Sequence, residues 1–248
     1  MLNDVGLPIQ KKCAVAFVDL LGVTQKIEKE SQWSLDWVWL FYKTITQEIE
    51  KHQNVKFKIF SDNILICKEI EEADPEQVVV EIFEILDKME ELMFTAQALF
   101  IRGAVVVGDL HFSENFVYGK ALVNAYQLES KLAIYPRVIV DKSALELIKG
   151  EKLPVVQDKD GQYFYDYIQF CIVENKLDWL RKIKTFKSNI LLNITNNSTS
   201  LSVLNKMEWA VNYYNENCIR HNLDCLITET ELKKSGVNVD KIHLIFKM

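Results

Sequence analysis

The chain reads as an α/β protein, a sandwich of the split-βαβ kind with helices covering one sheet. Three observations lead there. Residues 13–23, CAVAFVDLLGV, form a near-continuous apolar run, as a central strand does. Residues 56–67, KFKIFSDNILIC, alternate on either side of Asp62-Asn63, as a hairpin does. Apolar stripes at helical spacing separate these runs from the strands that follow. With 248 residues, 49% of them hydrophobic, there is material for a sizeable core.

The elements follow in order. The first strand, 13–23, is interrupted by one polar residue, Asp19. Ser34 caps a helix running to about His52, with Trp37, Leu40, Phe41 and Ile45 on one face. In the hairpin, Val55, Phe57 and Ile59 alternate with Lys56, Lys58 and Phe60. Asp74, Pro75 and Gln77 supply a cap, an N1 proline and a capping box. The helix they open buries Ile82, Phe83, Ile85, Leu86, Met89 and Met93. Residues 97–109 form a long strand, and 111–119 pair with it. A helix (121–133), a short strand (137–141), a short helix (142–149) and a last strand, QYFYDYIQF (162–170), complete the order β-α-β-β-α-β-β-α-β-α-β. LLNITNNSTS (191–200) is a polar break. Leu204, Met207, Val211 and Tyr214 then recur at helical spacing. Residues 1–175 are expected to form one domain and 176–248 a helical C-terminal appendage.

Composition narrows the function classes. A net charge of −6 argues against binding a nucleic-acid backbone. Residues 1–12 lack an apolar signal core, and no apolar run reaches 18 residues, so a cytoplasmic chain without membrane spans is expected. Five cysteines without a CxxC support neither a disulfide framework nor a zinc ribbon.

Asp19 and Asp62 are the residues to explain. A carboxylate in a central strand needs a partner or a cation, unless it caps the following turn. Asp62 at a hairpin tip is ordinary turn chemistry when taken alone. If the first strand lies beside the hairpin, however, the two carboxylates converge, and they repel unless they share a proton or a cation. Hard oxygen ligands favour Mg²⁺ or Mn²⁺, ions that also take phosphate oxygens. Such a pair suits nucleotide chemistry.

At these residues the chain resembles the class III nucleotidyl cyclases. FVDLLGVT (17–24) is similar to their first metal motif, with Val23 at the position of a turn aromatic, and KIFSD (58–62) to their second. IRGAVVVGD (101–109) resembles their Arg-x-Gly strand without the intervening residue, and YGKALVNAYQLES (118–130) their Gly-initiated helix. Four of the eight glycines fall within these motifs. RGAVVVGDLHF, YPRVIVD and NKMEWAVNYYN add a narrower likeness, to the bacterial pyrimidine cyclases of the Pycsar anti-phage system.

The resemblance implies a ferredoxin-like βαββαβ core and a phosphorus–oxygen lyase converting UTP to 3′,5′-cyclic UMP and pyrophosphate; CTP is the alternative substrate. Two Mg²⁺ or Mn²⁺ ions per site would be held by Asp19, Asp62 and the Leu20 carbonyl. Arg102 would contact phosphate, unless it is a surface arginine at a strand edge. Val23 and Thr24 occupy the phosphate-cradling turn. Lys58 and Phe116 occupy the base-reading positions, and an aromatic at 116 argues against adenine. Two positions depart from the pattern. Val123 and Gln127 replace an Asn and an Arg, with the Asn displaced to Asn124. A late phosphate-gripping Lys has no match. Arg137 either supplies the missing charge or is held at a sheet edge by a proline turn, and Lys120 forms no P-loop. The implied assembly is a homodimer with active sites at the interface, whose product acts on a separate effector protein. A catalytically inactive, nucleotide-binding sensor is the reading from a different class.

Overall fold

The computed structural model describes residues 4–23, 32–70, 74–95, 100–148, 154–173 and 178–236. Their elements fall into two compact units: Met1–Glu90 with Ile101–Tyr165, and Glu91–Phe100 with Asp166–Met248.

The first unit is built on one mixed sheet. Its strands are β1 (Lys11–Leu21), β2 (Val55–Phe60), β3 (Asn63–Glu69), β4 (Phe100–Phe112), β5 (Val117–Tyr118), β6 (Val138–Val140), β7 (Val155–Gln157) and β8 (Tyr163–Tyr165). The order is β2-β3-β1-β4-β6-β8-β7, and β5 pairs with β4. With the helices α1 (Gln32–Ile49) and α2 (Pro75–Thr95), the first four strands form the expected βαββαβ core, in spatial order β4-β1-β3-β2. β6 lies parallel to β4, and β8 and β7 continue antiparallel from it.

Period-2 alternation explains how the sheet is sandwiched. Cys13, Val15 and Phe17 of β1 join Leu65 and Cys67 of β3 in one cluster. Ala121 and Ala125 of α3 (Lys120–Lys131) close over that cluster. Ala14, Ala16 and Val18 take the opposite face and are also fully buried. A central strand covered on both faces must be apolar throughout, and residues 13–20 are buried without a break. β1 and β4 approach closely at Gly103, where a Cβ would lie 2.5 Å from the Phe17 carbonyl oxygen and 2.6 Å from Val18 Cγ1. Glycine is the side chain that this crossing admits.

Two helix starts follow their caps, whereas Ser34 does not cap α1, which already begins at Gln32. Asp74 accepts a hydrogen bond from the Gln77 amide at 3.1 Å ahead of α2. Asp141 accepts one from the Ser143 amide at 2.9 Å ahead of α4 (Lys142–Leu145).

One expected strand is mostly helix. In QYFYDYIQF, Tyr163–Tyr165 alone is extended, and α5 (Tyr167–Val173) follows at once. Asp166 is the reason: its carboxylate accepts from the Gln169 amide at 3.1 Å and so caps the helix. On the side away from β6, Tyr163–Tyr165 pairs with β7, whose three residues carry no periodic signal.

The second unit is helical, with α6 (Trp179–Asn196), α7 (Leu201–Arg220) and α8 (Glu229–Lys234). The polar stretch 191–200 is a break in its last four residues alone, because α6 runs through Asn196. Lys182 pairs with Glu91 at 2.8 Å, and the Phe186 and Phe100 rings lie 5.6 Å apart. Among the described residues no helix is long and apolar enough to cross a membrane.

Candidate active site

The site forms where β1 ends beside the β2–β3 hairpin. The register pairs Asp19 with Asn63, and the Leu20 amide donates to the Asp62 carbonyl at 3.0 Å. The end of β1 at Asp19 therefore lies beside the hairpin turn that carries Asp62. The hairpin turn itself is Ser61-Asp62, one residue earlier than Asp62-Asn63, because Phe60 pairs with Asn63. Ser61 takes φ 57°, a left-handed value that two-residue hairpins require. The Tyr42 hydroxyl of α1 donates to the Ser61 carbonyl and pins the turn. Burial, and then the charges of Asp62 and Asp19, push the Tyr42 phenol up to about 12.

Asp19 is 8% exposed and is answered by Arg102, whose Nε donates to Asp19 Oδ2 at 2.7 Å. Gly103 makes this contact possible by drawing β4 against β1. The other side of the guanidinium faces Glu129, with Nη2 2.9 Å from Oε1. Glu129 lies on the buried stripe Ala121, Ala125, Glu129 of α3 and is 3% exposed. Burial raises its pKa; Arg102 opposes the rise, and Asp19 and Asp62 add to it.

Of the two base-reading candidates, Phe116 lies on the β4–β5 hairpin and Lys58 reaches that hairpin from β2. Lys58 donates to the Glu114 carbonyl at 2.5 Å, with the Ser113 carbonyl at 3.5 Å and the Phe112 ring centroid 6.0 Å away. Phe116 is 48% exposed and stacks on His111 at 4.7 Å. Val23 is buried just after Gly22, whose φ of 92° makes the turn at the end of β1. Thr24 lies outside the described residues. Leu20 is buried beside Asp19. Asn124 and Gln127 are exposed on α3, as is Val123.

Arg137 is placed differently. It is fully buried, and its guanidinium is matched by Asp158 and by Asp160. Nη2 also donates to the Leu132 carbonyl at 3.3 Å. Two carboxylates already neutralise it, so its charge is spent in joining the β7–β8 turn to the base of β6.

Glu129 and Tyr42 are residues that sequence reasoning did not single out. For Glu129 the signal is present: it falls four after Ala125 and eight after Ala121, on the apolar side of α3. Tyr42 has no such signal, because its partner is a main-chain carbonyl 19 residues away.

Asp19 and Asp62 fit a hard divalent cation that takes its remaining ligands from phosphate and water. The observation behind this is the guanidinium at Asp19: a buried carboxylate here already recruits a cation. Among the described residues no cluster of three metal-ligating side chains occurs, so such an ion would depend on its substrate for ligands.

No protein-family model and no curated protein matches the sequence. Solved structures do. The adenylyl cyclase CyaB from P. aeruginosa aligns with a TM-score of 0.53 and 18% identity, over 63% of this chain and 93% of that one. The guanylate cyclase domain of RhGC from Catenaria anguillulae, in complex with GTP, aligns with a TM-score of 0.48 and 18% identity, over 62% and 96%. The likeness to CyaB shows a shared fold, that of a class III nucleotide cyclase catalytic domain.

Proposed function

We propose that the protein is a divalent-metal-dependent nucleotide cyclase acting on a pyrimidine triphosphate. It converts UTP, or alternatively CTP, to the 3′,5′-cyclic monophosphate and pyrophosphate. The observation that carries this is the placing of Asp19, at the end of β1, beside the hairpin turn that carries Asp62, on a fold shared with an adenylyl cyclase. Asp19 and Asp62 hold Mg²⁺ or Mn²⁺. When bound, the ions neutralise triphosphate charge and lower the pKa of the ribose 3′-hydroxyl. Arg102 contributes fixed positive charge beside the phosphates. The turn at Val23 and Thr24 lies at the phosphate end. Lys58 and Phe116 lie at the base end, where an ammonium donates to a pyrimidine carbonyl and an aromatic ring offers a stacking face. An aromatic at 116, where adenylate cyclases place an Asp, argues against adenine. The active unit is a homodimer with sites at the interface, and the cyclic product signals to a separate effector in anti-phage defence.

The test is incubation of purified protein with Mn²⁺ and each of the four ribonucleoside triphosphates, reading pyrophosphate and cyclic product. UTP is expected to give cyclic UMP, with Asp19→Ala and Asp62→Ala each lowering the rate at least about a thousandfold. Product from ATP alone would reassign the base. No product from any triphosphate, with tight nucleotide binding retained, would favour the inactive sensor, a reading that the uncharged Val123 and Gln127 also favour.

A further inference from the structure

Arg102 is the cation that Asp19 holds in this structure. An ion arriving at Asp19 therefore meets a carboxylate already engaged, and the guanidinium must give up its hydrogen bond. A displaced guanidinium beside a divalent ion is strongly repelled unless another anion receives it.

Glu129 is placed to do so. It is 3% exposed and its Oε1 lies 2.9 Å from Nη2. The two contacts of the arginine differ in kind. Nε donates an aligned hydrogen bond to Asp19, whereas Glu129 Oε1 is in ion-pair range without making a hydrogen bond. The arginine is thus committed to Asp19 and leans on Glu129.

We propose that Glu129 is a positioning residue: it takes over the guanidinium of Arg102 when a divalent cation claims Asp19, and keeps that charge beside the phosphates. The proposal rests on the metal-dependent cyclase reading above.

The test is a double-mutant cycle on Mn²⁺ affinity, read as the Mn²⁺ concentration needed for half-maximal binding of a 3′-deoxynucleoside triphosphate, which supplies the phosphate ligands and cannot cyclise. Glu129→Gln keeps the shape of the side chain and removes its charge. In the otherwise unchanged protein it is expected to weaken Mn²⁺ about tenfold or more, because the displaced arginine loses its receiver. In the Arg102→Ala background the same change is expected to weaken Mn²⁺ less than about threefold, the residual effect of one screened charge at a distance. Equal losses in the two backgrounds would overturn the proposal. Asp19→Asn separates the two levels. If it abolishes Mn²⁺ binding while the cycle shows no coupling, the metal site stands and the role of Glu129 falls. If Asp19→Asn leaves Mn²⁺ binding unchanged, both fall. Thermal melts of each variant establish that it is folded. Should Glu129→Gln fail to fold, Glu129→Asp, which keeps the charge at shorter reach, is expected to lose affinity in the Arg102-containing protein and not in Arg102→Ala.

Discussion

Glu129 carries its charge in a place that disfavours it. Burial is the main cause of its raised pKa, ahead of the opposing pull of Arg102. Between the ordinary glutamate value of about 4.3 and the raised value, the folded state binds more protons than the unfolded one. Stability therefore falls as pH climbs through that window, and the contribution of Glu129 is fully present only below about 4.3. Glu129→Gln removes this dependence. It is expected to melt above the parent protein at pH 7, with the gap closing as pH is lowered towards 4. Melts across that range check it; a variant less stable at pH 7, by an amount that does not change with pH, would show the Arg102 pair outweighing burial. At this scale sequence reading was uneven. Asp19 announced itself as one polar residue in an apolar strand. Glu129 lies within YGKALVNAYQLES, and its partner, Arg102, comes from a different element 27 positions earlier in the chain, a relation that periodicity does not carry.

The β7–β8 turn shows how an element depends on one buried charge. Arg137 is fully buried and pairs with Asp158 and Asp160, which are respectively 14% and 43% exposed in their side chains. Arg137→Ala strands two carboxylates at once. Removing one partner of a buried pair costs about 3–5 kcal/mol. Because Asp160 is substantially exposed, the lower end of that range is expected, about 3 kcal/mol or roughly 6–12 °C in melting temperature for a chain of this length. Chemical denaturation read against the parent protein tests this, and a loss under about 1 kcal/mol would leave the clamp without weight. The arginine followed a proline turn in sequence, and its two acids lay 21 and 23 residues downstream in a loop, so nothing local marked it as paired. The tyrosine-rich stretch after it misled for a related reason. Its alternation is that of a strand, but Asp166 turns it into a helix after three residues.

For the molecule as a whole, the core was readable because its signals are long. The unbroken apolar run of the eleven-residue β1 marks a strand covered on both faces, the hairpin beside it carries the alternation, and the βαββαβ order follows from them. The short strands β6, β7 and β8 add three residues each and depend on tertiary pairing. The fold also sets which lesions complement. Asp19 and Arg102 meet within one chain. In a homodimer, mixing inactive Asp62→Ala with inactive Arg102→Ala is therefore expected to restore no activity, since every site keeps one lesion. Partial recovery after proven subunit exchange would place the working Arg102 on the partner instead. One feature of the sheet reaches beyond catalysis. β2 is a terminal strand, and such a strand offers main-chain hydrogen bonds to any extended neighbour. Its sequence, VKFKIF, is a hydrophobic, β-prone hexapeptide broken by Lys56 and Lys58. Lys56 and Lys58 interrupt it as gatekeeper residues do, and a Lys58→Ala test of the proposed base reading would remove one of these two charges.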